Sequence, residues 1–201
     1  MHLVVGLGNP GSRYRETPHN LGFWVCDRLA ESHGFGGEVR KYQGRFRRGR
    51  IGSEDVGLLW PQTYMNASGD SVAEAMRYLP TSAEEMIVVF DDMDLPLGRL
   101  RIRPSGGHGG HNGLRSIVGR LGSKDFARVR VGVGRPPEGW SATGHLLGRI
   151  SETQRGRLEE SVDRAAAAVR CILEEGVEEA MNRFNATPPE TSRESSEEGK
   201  S

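Results

Sequence analysis

The spacing of apolar residues along the chain predicts alternating strands and helices. Apolar positions in residues 20–33 and 151–175 recur every three to four residues, as in helices with one buried face. Residues 86–90 form a nearly continuous apolar run, which is typical of a central strand buried on both faces. Residues 45–51 and 56–60 are predicted to be paired strands joined by a turn.

The remaining segments complete an α/β pattern. The short apolar segment 3–5 predicts a first strand that ends in a glycine-rich turn at 6–11. Asn66 is expected to cap a helix that Pro80 stops. Half-exposed strands are predicted at 97–103 and 127–133, and helices at 112–121 and 177–184. Strands interleaved with helices indicate a single α/β domain over residues 1–185, with a twisted mixed β-sheet flanked by α-helices.

Length and composition limit the class of protein. A chain of 201 residues is expected to form one domain with a substantial core. Residues 186–201 contain no large apolar side chain, so we expect a disordered C-terminal tail there. Cys26 and Cys171 are too few for a disulfide framework and are expected to be buried free thiols. Without a signal peptide or a run of 18 apolar residues, the chain is expected to be soluble and cytoplasmic.

Charge is balanced overall but unevenly distributed. The chain has 27 basic and 27 acidic residues. Residues 40–50 hold six basic residues and no acid, and residues 95–135 hold nine basic residues against Asp125 alone. In residues 151–185 the balance is reversed. Two basic stretches on a neutral chain suggest one positive face and a phosphate-rich partner, although arginines can also simply cover exposed strands.

A glycine-rich run at 106–113 is the first candidate for chemistry. It holds five glycines together with His108, His111 and Asn112. Glycine loses the most conformational freedom on folding, so such a run indicates a backbone that bends sharply or approaches a ligand closely. We therefore interpret it as a site loop that leads into the helix at 112–121.

The two histidines of this run leave metal binding open as one alternative. His108 and His111 are separated by two residues, and a third ligand is available from His19, Asp91 or Asp94. However, metal-binding histidines usually need a fixed second shell, which flanking glycines do not provide. The chain also has no H-E-x-x-H motif and no cysteine pair. We expect no metal and no cofactor.

Residues 6–11 match the G-x-G-x-x-G pattern of dinucleotide-binding proteins. Such a site also needs an acidic residue at the end of the second strand, but Asp27 falls within a predicted helix. Pro10 lies where the helix should begin. The alternatives are a tight turn capped by Asn9, or an Asn9 side chain that projects into a crevice at the strand end.

A third set of residues favours hydrolysis by an activated water. His19 lies just before a helix, and histidine is a common general base. Asp91 ends the apolar strand, where open α/β sheets place functional groups. A carboxylate that accepts a ring N–H fixes the histidine tautomer and raises its basicity. No serine or cysteine lies in a nucleophile elbow, so a water nucleophile is predicted. Asn9, Asn66 and Asn112 can donate amide hydrogen bonds to an acyl oxygen.

Together these motifs resemble bacterial-type peptidyl-tRNA hydrolases over about residues 3–184. The matching motifs, in chain order, are residues 6–11, Tyr14, 19–22, 61–66 with Ser68 and Gly69, 91–96 and 106–113. Each motif alone is weak, but their shared order and spacing make the resemblance specific.

The resemblance implies a monomeric enzyme that cleaves the ester joining a peptide to the terminal ribose of tRNA. Such an enzyme recycles tRNA from prematurely released peptidyl-tRNA during translation. By the family pattern His19 is the general base and Asp91 orients it. Asn9 and Asn66 then bind the substrate and hold the peptide main chain, and Asn112 places the water and contacts the tRNA end.

The resemblance also assigns further contacts. Substrate-binding positions fall on Tyr14, Tyr64, Met65 and His111, and contacts with tRNA phosphates fall on Arg101, Arg103 and Arg130. Some members of the family carry lysines in place of Arg101 and Arg103. No membrane and no stable protein partner is expected. The alternative function is a catalytically silent RNA-binding protein on the same fold, against which the joint presence of His19 and Asp91 argues.

Overall fold

A seven-stranded β-sheet with the strand order β2-β3-β4-β1-β5-β7-β6 forms the centre of the molecule. The computed structural model describes residues 1–186. The strands are β1 His2–Gly6, β2 Val39–Lys41, β3 Gly44–Ile51, β4 Glu54–Pro61, β5 Met86–Asp92, β6 Leu100–Arg103 and β7 Ala127–Gly132. The α-helices are α1 Leu21–Ser32, α2 Ser68–Tyr78, α3 Asn112–Leu121, α4 Ala142–Leu147, α5 Glu152–Glu175 and α6 Val177–Phe184. Short 3-10 turns lie at Ser12–Tyr14, Pro18–Asn20 and Met65–Ala67.

The sheet is mixed, as predicted. Strand β1 pairs in parallel with β4 and β5, and β5 pairs in parallel with β7. The pairs β2–β3, β3–β4 and β6–β7 are antiparallel. Because β1 and β5 are parallel neighbours, the turn after β1 and the end of β5 meet at the same edge of the sheet. This edge holds the candidate site.

Each face of the sheet carries its own hydrophobic cluster. Helices α1 and α5 cover one face, where Ile87 and Val89 of β5 point inward. Helices α2 and α3 cover part of the other face, where Val88 and Phe90 point inward. Alternate residues of β5 thus enter opposite clusters, which confirms the prediction of a strand buried on both faces. Cys26 and Cys171 are buried free cysteines, as expected.

Most predicted elements lie within two residues of those observed, but four features differ. The predicted strand 97–103 begins only at Leu100, because the preceding residues form a turn. Asn66 does not cap helix α2, because it lies within a 3-10 turn and the helix begins at Ser68 after Ala67. Strand β2 and helix α4 were not predicted, and both lack buried residues.

The sequence also led to expectations about membrane-spanning segments and about the C-terminal tail. Within residues 1–186, no helix has the length and apolar character needed to cross a membrane. The tail expected at 186–201 lies outside the described residues except for its first residue.

The end of α6 returns to the edge of the sheet. The side chain of Asn185 accepts a hydrogen bond from the N–H of Ile102 at 2.6 Å and donates one to its carbonyl at 3.1 Å. Ile102 lies in β6, the last strand of the sheet. An amide side chain therefore takes the place of a neighbouring strand there.

Candidate active site

A cleft of about 850 Å³ opens at the edge of the sheet where β1 and β5 end. The turn after β1, the 3-10 turn Pro18–Asn20, the end of β5 and the loop 106–113 all contribute to it. Of the twelve site residues proposed from the sequence, all but Arg101 line this cleft. Residues from distant parts of the chain therefore meet at the edge where the parallel strands β1 and β5 end.

His19 and Asp91 form a buried pair at the base of the cleft. The Nδ1 atom of His19 lies 2.9 Å and 3.0 Å from the two carboxylate oxygens of Asp91. The side chains are 10% and 1% exposed, respectively. Because an ionised carboxylate only accepts hydrogen bonds, Nδ1 carries the proton and Nε2 keeps its lone pair. His19 can therefore accept a proton from a water in the cleft.

A second histidine contacts the same carboxylate. The Nε2 atom of His111 lies 3.3 Å from Oδ1 of Asp91. Burial by itself raises the pKa of Asp91, but the hydrogen bonds from His111 and His19 outweigh it and hold that pKa well below its usual range. Asp91 is therefore ionised at neutral pH and accepts from both rings.

Three hydrogen bonds hold Asn9, two through its backbone and one through its side chain. Its backbone N–H donates to Oδ1 of Asn20 at 2.8 Å, and its carbonyl accepts from Nδ2 of Asn20 at 3.0 Å. Its own Oδ1 accepts the N–H of Met65 at 2.8 Å. The group that Asn9 can still offer to the cleft is its NH₂. The side chain of Asn9 thus projects into the crevice and does not cap the turn. The first α-helix after this turn begins only at Leu21.

Asn20 was not proposed as a site residue, although it lies beside His19. Its partners are backbone atoms 11 positions earlier in the chain. Backbone atoms have no signature in a sequence, so no pattern indicates this pair. The signal available was a polar residue at the start of an apolar helix, which is too common to single out.

The opposite wall of the cleft is more exposed than its base. Tyr64 is 60% exposed, whereas the neighbouring Met65 is buried. Asn66 and Asn112 are both exposed. The Oδ1 atom of Asn112 accepts from Arg115 at 3.1 Å, which leaves its NH₂ group as a donor. These side chains can contact a large substrate, while His19 and Asp91 lie beneath it.

The loop 106–113 approaches the rest of the site closely. A Cβ atom at Gly113 would lie 2.7 Å from Sδ of Met65 and 2.9 Å from Cδ1 of Leu7, so a larger residue there would displace these side chains. At the other end of the loop, Arg128 donates to the carbonyl of Gly107. Arg128 is only 3% exposed, and its role as an anchor for this loop was not predicted.

Four arginines line one face of β6 and β7. In the antiparallel register Arg101 lies opposite Arg130, and Arg103 lies opposite Arg128. Side chains of directly opposed residues share one face of a sheet, and like charges in such positions repel each other. Burial and the neighbouring charge of Arg130 lower the pKa of Arg128. This face therefore favours a bound anion.

The prediction of one positive face built from both basic stretches is wrong. Residues 40–50 cover β2 and β3 at one edge of the sheet, whereas β7 and β6 form the other edge. In the first stretch Arg45 pairs with Glu38 and Arg48 pairs with Asp55. Only the second stretch reaches the cleft.

The metal-binding alternative can be compared with the donor atoms present. Among the described residues, one group offers ligand atoms within 4.8 Å of one another: His19, Asp91 and His111. His108 is not part of it, and its Nδ1 accepts from the N–H of Gly110. The Nδ1 of His111 accepts from the N–H of Leu114 at 3.4 Å, so its Nε2 carries the proton. In this tautomer His111 has no lone pair to give a metal at that position.

A buried histidine–carboxylate pair beneath a cleft at the strand ends of an α/β sheet is the arrangement of an enzyme active site. A family model described as peptidyl-tRNA hydrolase matches residues 3–194. The peptidyl-tRNA hydrolase of Syntrophotalea carbinolica is 45% identical over 185 residues, covering 92% of this chain and 97% of that protein. The Rhodopirellula baltica protein of the same name is 44% identical over 186 residues, covering 92% and 98%.

Solved structures agree with this result. The crystal structure of peptidyl-tRNA hydrolase from Acinetobacter baumannii matches with a TM-score of 0.87 and 39% identity, covering 94% of this chain and 96% of that one. The chain belongs to the peptidyl-tRNA hydrolase family and is an enzyme of that family. The resemblance inferred from the motifs is thereby confirmed.

Proposed function

We propose that this enzyme hydrolyses the ester bond between the peptide and the terminal ribose of peptidyl-tRNA, and so recycles tRNA during translation. The observation that carries the proposal is the buried His19–Asp91 pair in the cleft of a chain of this family. The substrate and the roles of the residues follow the family resemblance together with this geometry.

In the proposed reaction, Nε2 of His19 accepts a proton from a water as the water oxygen attacks the ester carbonyl. Asp91 accepts a hydrogen bond from Nδ1–H of His19 and stabilises the imidazolium that forms. The tetrahedral intermediate then expels the ribose oxygen, which takes the proton back from His19. The products are a free peptide carboxylate and an intact tRNA end. The donor NH₂ groups of Asn9 and Asn112 can stabilise the developing negative charge on the acyl oxygen.

The same groups can distinguish peptidyl-tRNA from ordinary aminoacyl-tRNA. In the proposed complex Asn9 and Asn66 bind the amide that only a blocked amino end provides, beside Tyr14, Tyr64 and Met65 in the cleft. A site built to hydrogen-bond a group strongly rejects substrates that lack it, because its own polar atoms are then left unpaired.

Recognition of the tRNA itself is assigned to phosphate contacts. Arg101, Arg103 and Arg130 lie on one face beside the cleft. Phosphate contacts position a nucleic acid without reading its sequence, which suits an enzyme that serves every tRNA. No step in this mechanism requires a metal, and the tautomer of His111 supports a network of hydrogen bonds in place of ligation.

The proposal is tested by incubating the purified protein and a chelator with N-acetylated aminoacyl-tRNA and, separately, with the free-amine form. We expect cleavage of the blocked ester alone. His19→Ala should lower kcat by about a hundredfold to ten-thousandfold, the range for general-base catalysis, with tRNA affinity nearly unchanged. The matched control is His33→Ala, which lies at the end of α1 and does not line the cleft.

Two outcomes would contradict the proposal. Cleavage that survives in His19→Ala would show that the base is a different residue. Tight tRNA binding with no cleavage, even after divalent metals are restored, would favour the catalytically silent RNA-binding protein.

A further inference from the structure

We propose that His111 is a positioning residue, which holds the carboxylate of Asp91 in the orientation that fixes His19 and ties this pair to the start of helix α3. The inference rests on the proposed hydrolase function. It differs from the role in substrate binding that the family resemblance suggests for His111.

The first observation is that one carboxylate oxygen serves both rings. Oδ1 of Asp91 lies 2.9 Å from Nδ1 of His19 and 3.3 Å from Nε2 of His111. The terminal torsion of an aspartate is broad, so a single partner leaves the carboxylate freedom to rotate. A second donor from another direction restricts that rotation. His111 therefore limits the orientations that Asp91 can offer to His19.

The second observation is that His111 is itself fixed on several sides. Its Nδ1 accepts the N–H of Leu114, so that it caps the first turn of α3. The ring of Phe90 packs edge-on against it with ring centroids 5.0 Å apart. The ring of His19 lies 5.2 Å away at a tilt of 49°. A side chain held in this way can transmit a fixed position to Asp91.

The third observation is burial. The side chain of His111 is 9% exposed, close to the 10% of His19, whereas the adjacent Asn112 is exposed. A residue whose main role is to contact tRNA would present its ring to the cleft as Asn112 does. His111 instead presents both ring nitrogens to the protein, one to α3 and one to Asp91.

This geometry gives α3 a place in the active site. Asn112 is the first residue of the helix, and His111 caps that helix while donating to Asp91. The position of the first turn of α3 therefore sets both a substrate contact and the catalytic pair. His111 connects the two because each of its nitrogens bonds to one of them.

Two substitutions separate the two hydrogen bonds of His111. Asparagine is a favourable N-cap and keeps the bond to Leu114, but its side chain is too short to reach Asp91. Glutamine is long enough to donate to Asp91. We expect His111→Asn to lower kcat by about tenfold or more, as outer-shell partners typically do, with KM within about twofold. His111→Gln should restore most of kcat, which a purely structural role would not predict.

Opposite results would overturn the inference. A raised KM with unchanged kcat in His111→Asn would make His111 a tRNA contact. Equal losses of kcat in the Asn and Gln variants would remove the bond to Asp91 from the explanation. His19→Ala is measured alongside, because activity that survives there contradicts the proposed function itself, whereas a normal kcat in His111→Asn contradicts only this inference.

A measurement on the unmodified protein keeps the inference testable if a variant fails to fold. Long-range ¹⁵N–¹H NMR spectra distinguish the two neutral tautomers of an imidazole. We expect His111 to carry its proton on Nε2 at neutral pH, because Leu114 donates to Nδ1. A proton on Nδ1 would show that His111 does not donate to Asp91.

Discussion

Two arginine-rich regions that look alike in the sequence differ in how their charges are compensated. On β3, Arg45 lies 2.9 Å from Glu38 and Arg48 lies 3.0 Å from Asp55. On β6, Arg101 and Arg103 have no acidic partner among residues 1–186 and face two further arginines across the strand pair. Arg101 and Arg103 therefore remain available to a bound anion, although Arg130 on the neighbouring strand pairs with Asp92.

The neighbouring elements explain the difference. Strand β3 lies close to α1 and to the segment before β2, which supply Asp27 and Glu38. Strand β6 pairs with β7, whose side chains on the same face are also arginines. The face of β6 and β7 thus stores repulsion between like charges, which a polyanion relieves.

Reversing the charges of both regions gives the largest contrast. We expect Arg101→Glu with Arg103→Glu to weaken tRNA binding by about a hundredfold at low salt and to reduce the salt slope by about two, because two phosphate contacts are lost. The control is Arg48→Glu with Arg50→Glu on β3, which should change affinity little. Filter binding over a salt series measures both. Equal losses in the two double variants would erase the distinction between the regions.

Substitutions on β3 should lower the stability of the fold more than substitutions on β6, which is the opposite of their expected effects on tRNA affinity. Arg45 lies over the ring of Trp60 at 5.0 Å and pairs with Asp27 and Glu38. Replacing Arg45 by alanine should lower the free energy of unfolding by about 1 kcal/mol, the upper range for partly exposed pairs, and leave tRNA affinity unchanged. Urea unfolding tests this against Arg101→Ala, for which no loss is expected. A greater loss in Arg101→Ala would contradict the comparison.

Removing one acid near the cleft should strengthen binding slightly. Asp92 pairs with Arg130, which reduces the positive potential beside the cleft. Asp92→Asn should raise tRNA affinity by about threefold, a fraction of one full phosphate contact. Asp55→Asn frees Arg48 in the same way on β3 and should have no effect on affinity. A matching gain in Asp55→Asn would place β3 in the tRNA footprint.

The smallest expected effect is that of pH on the β3 region. Hydrogen bonds from Arg48 lower the pKa of Asp55, and those from Arg45 lower the pKa of Glu38. A lowered pKa keeps a carboxylate ionised at pH values below its usual range, so protonation is delayed as pH falls and these pairs should persist from about pH 8 to about pH 5. Heparin retention of the Arg101→Glu/Arg103→Glu variant should stay constant over that range. A rise at about pH 5 would show that the pairs are already lost.

The sequence predicted those helices and strands in which burial of one face, or of the whole segment, produces a regular spacing of apolar residues. Helices α1, α3 and α5 and strand β5 each bury a face or a core run, so their apolar residues recur at regular spacing. Helix α4 buries no residue and therefore has no such pattern. The same reason explains why the three exposed residues of β2 were missed.

The part of the candidate site that is formed by contacts between side chains could be predicted from the sequence. His19 and Asp91 carry recognisable chemistry, and the turn after β1 brings His19 to the sheet edge where β5 ends. Asn20 and Arg128 could not be predicted, because Asn20 bonds the backbone of Asn9 and Arg128 bonds backbone carbonyls in the loops around it. Such contacts depend on the path of the main chain, and the types of the residues along that path do not indicate it.

The amide of Asn185 has a consequence for self-association. An outer strand with open N–H and carbonyl groups is a template on which another chain can add a strand and begin aggregation. Asn185 occupies both groups of Ile102, and the charged Arg101 and Arg103 flank that position. The end of α6 thus blocks this position of the outer strand against another chain, and a truncation before Asn185 would expose it while leaving His19 and Asp91 in place.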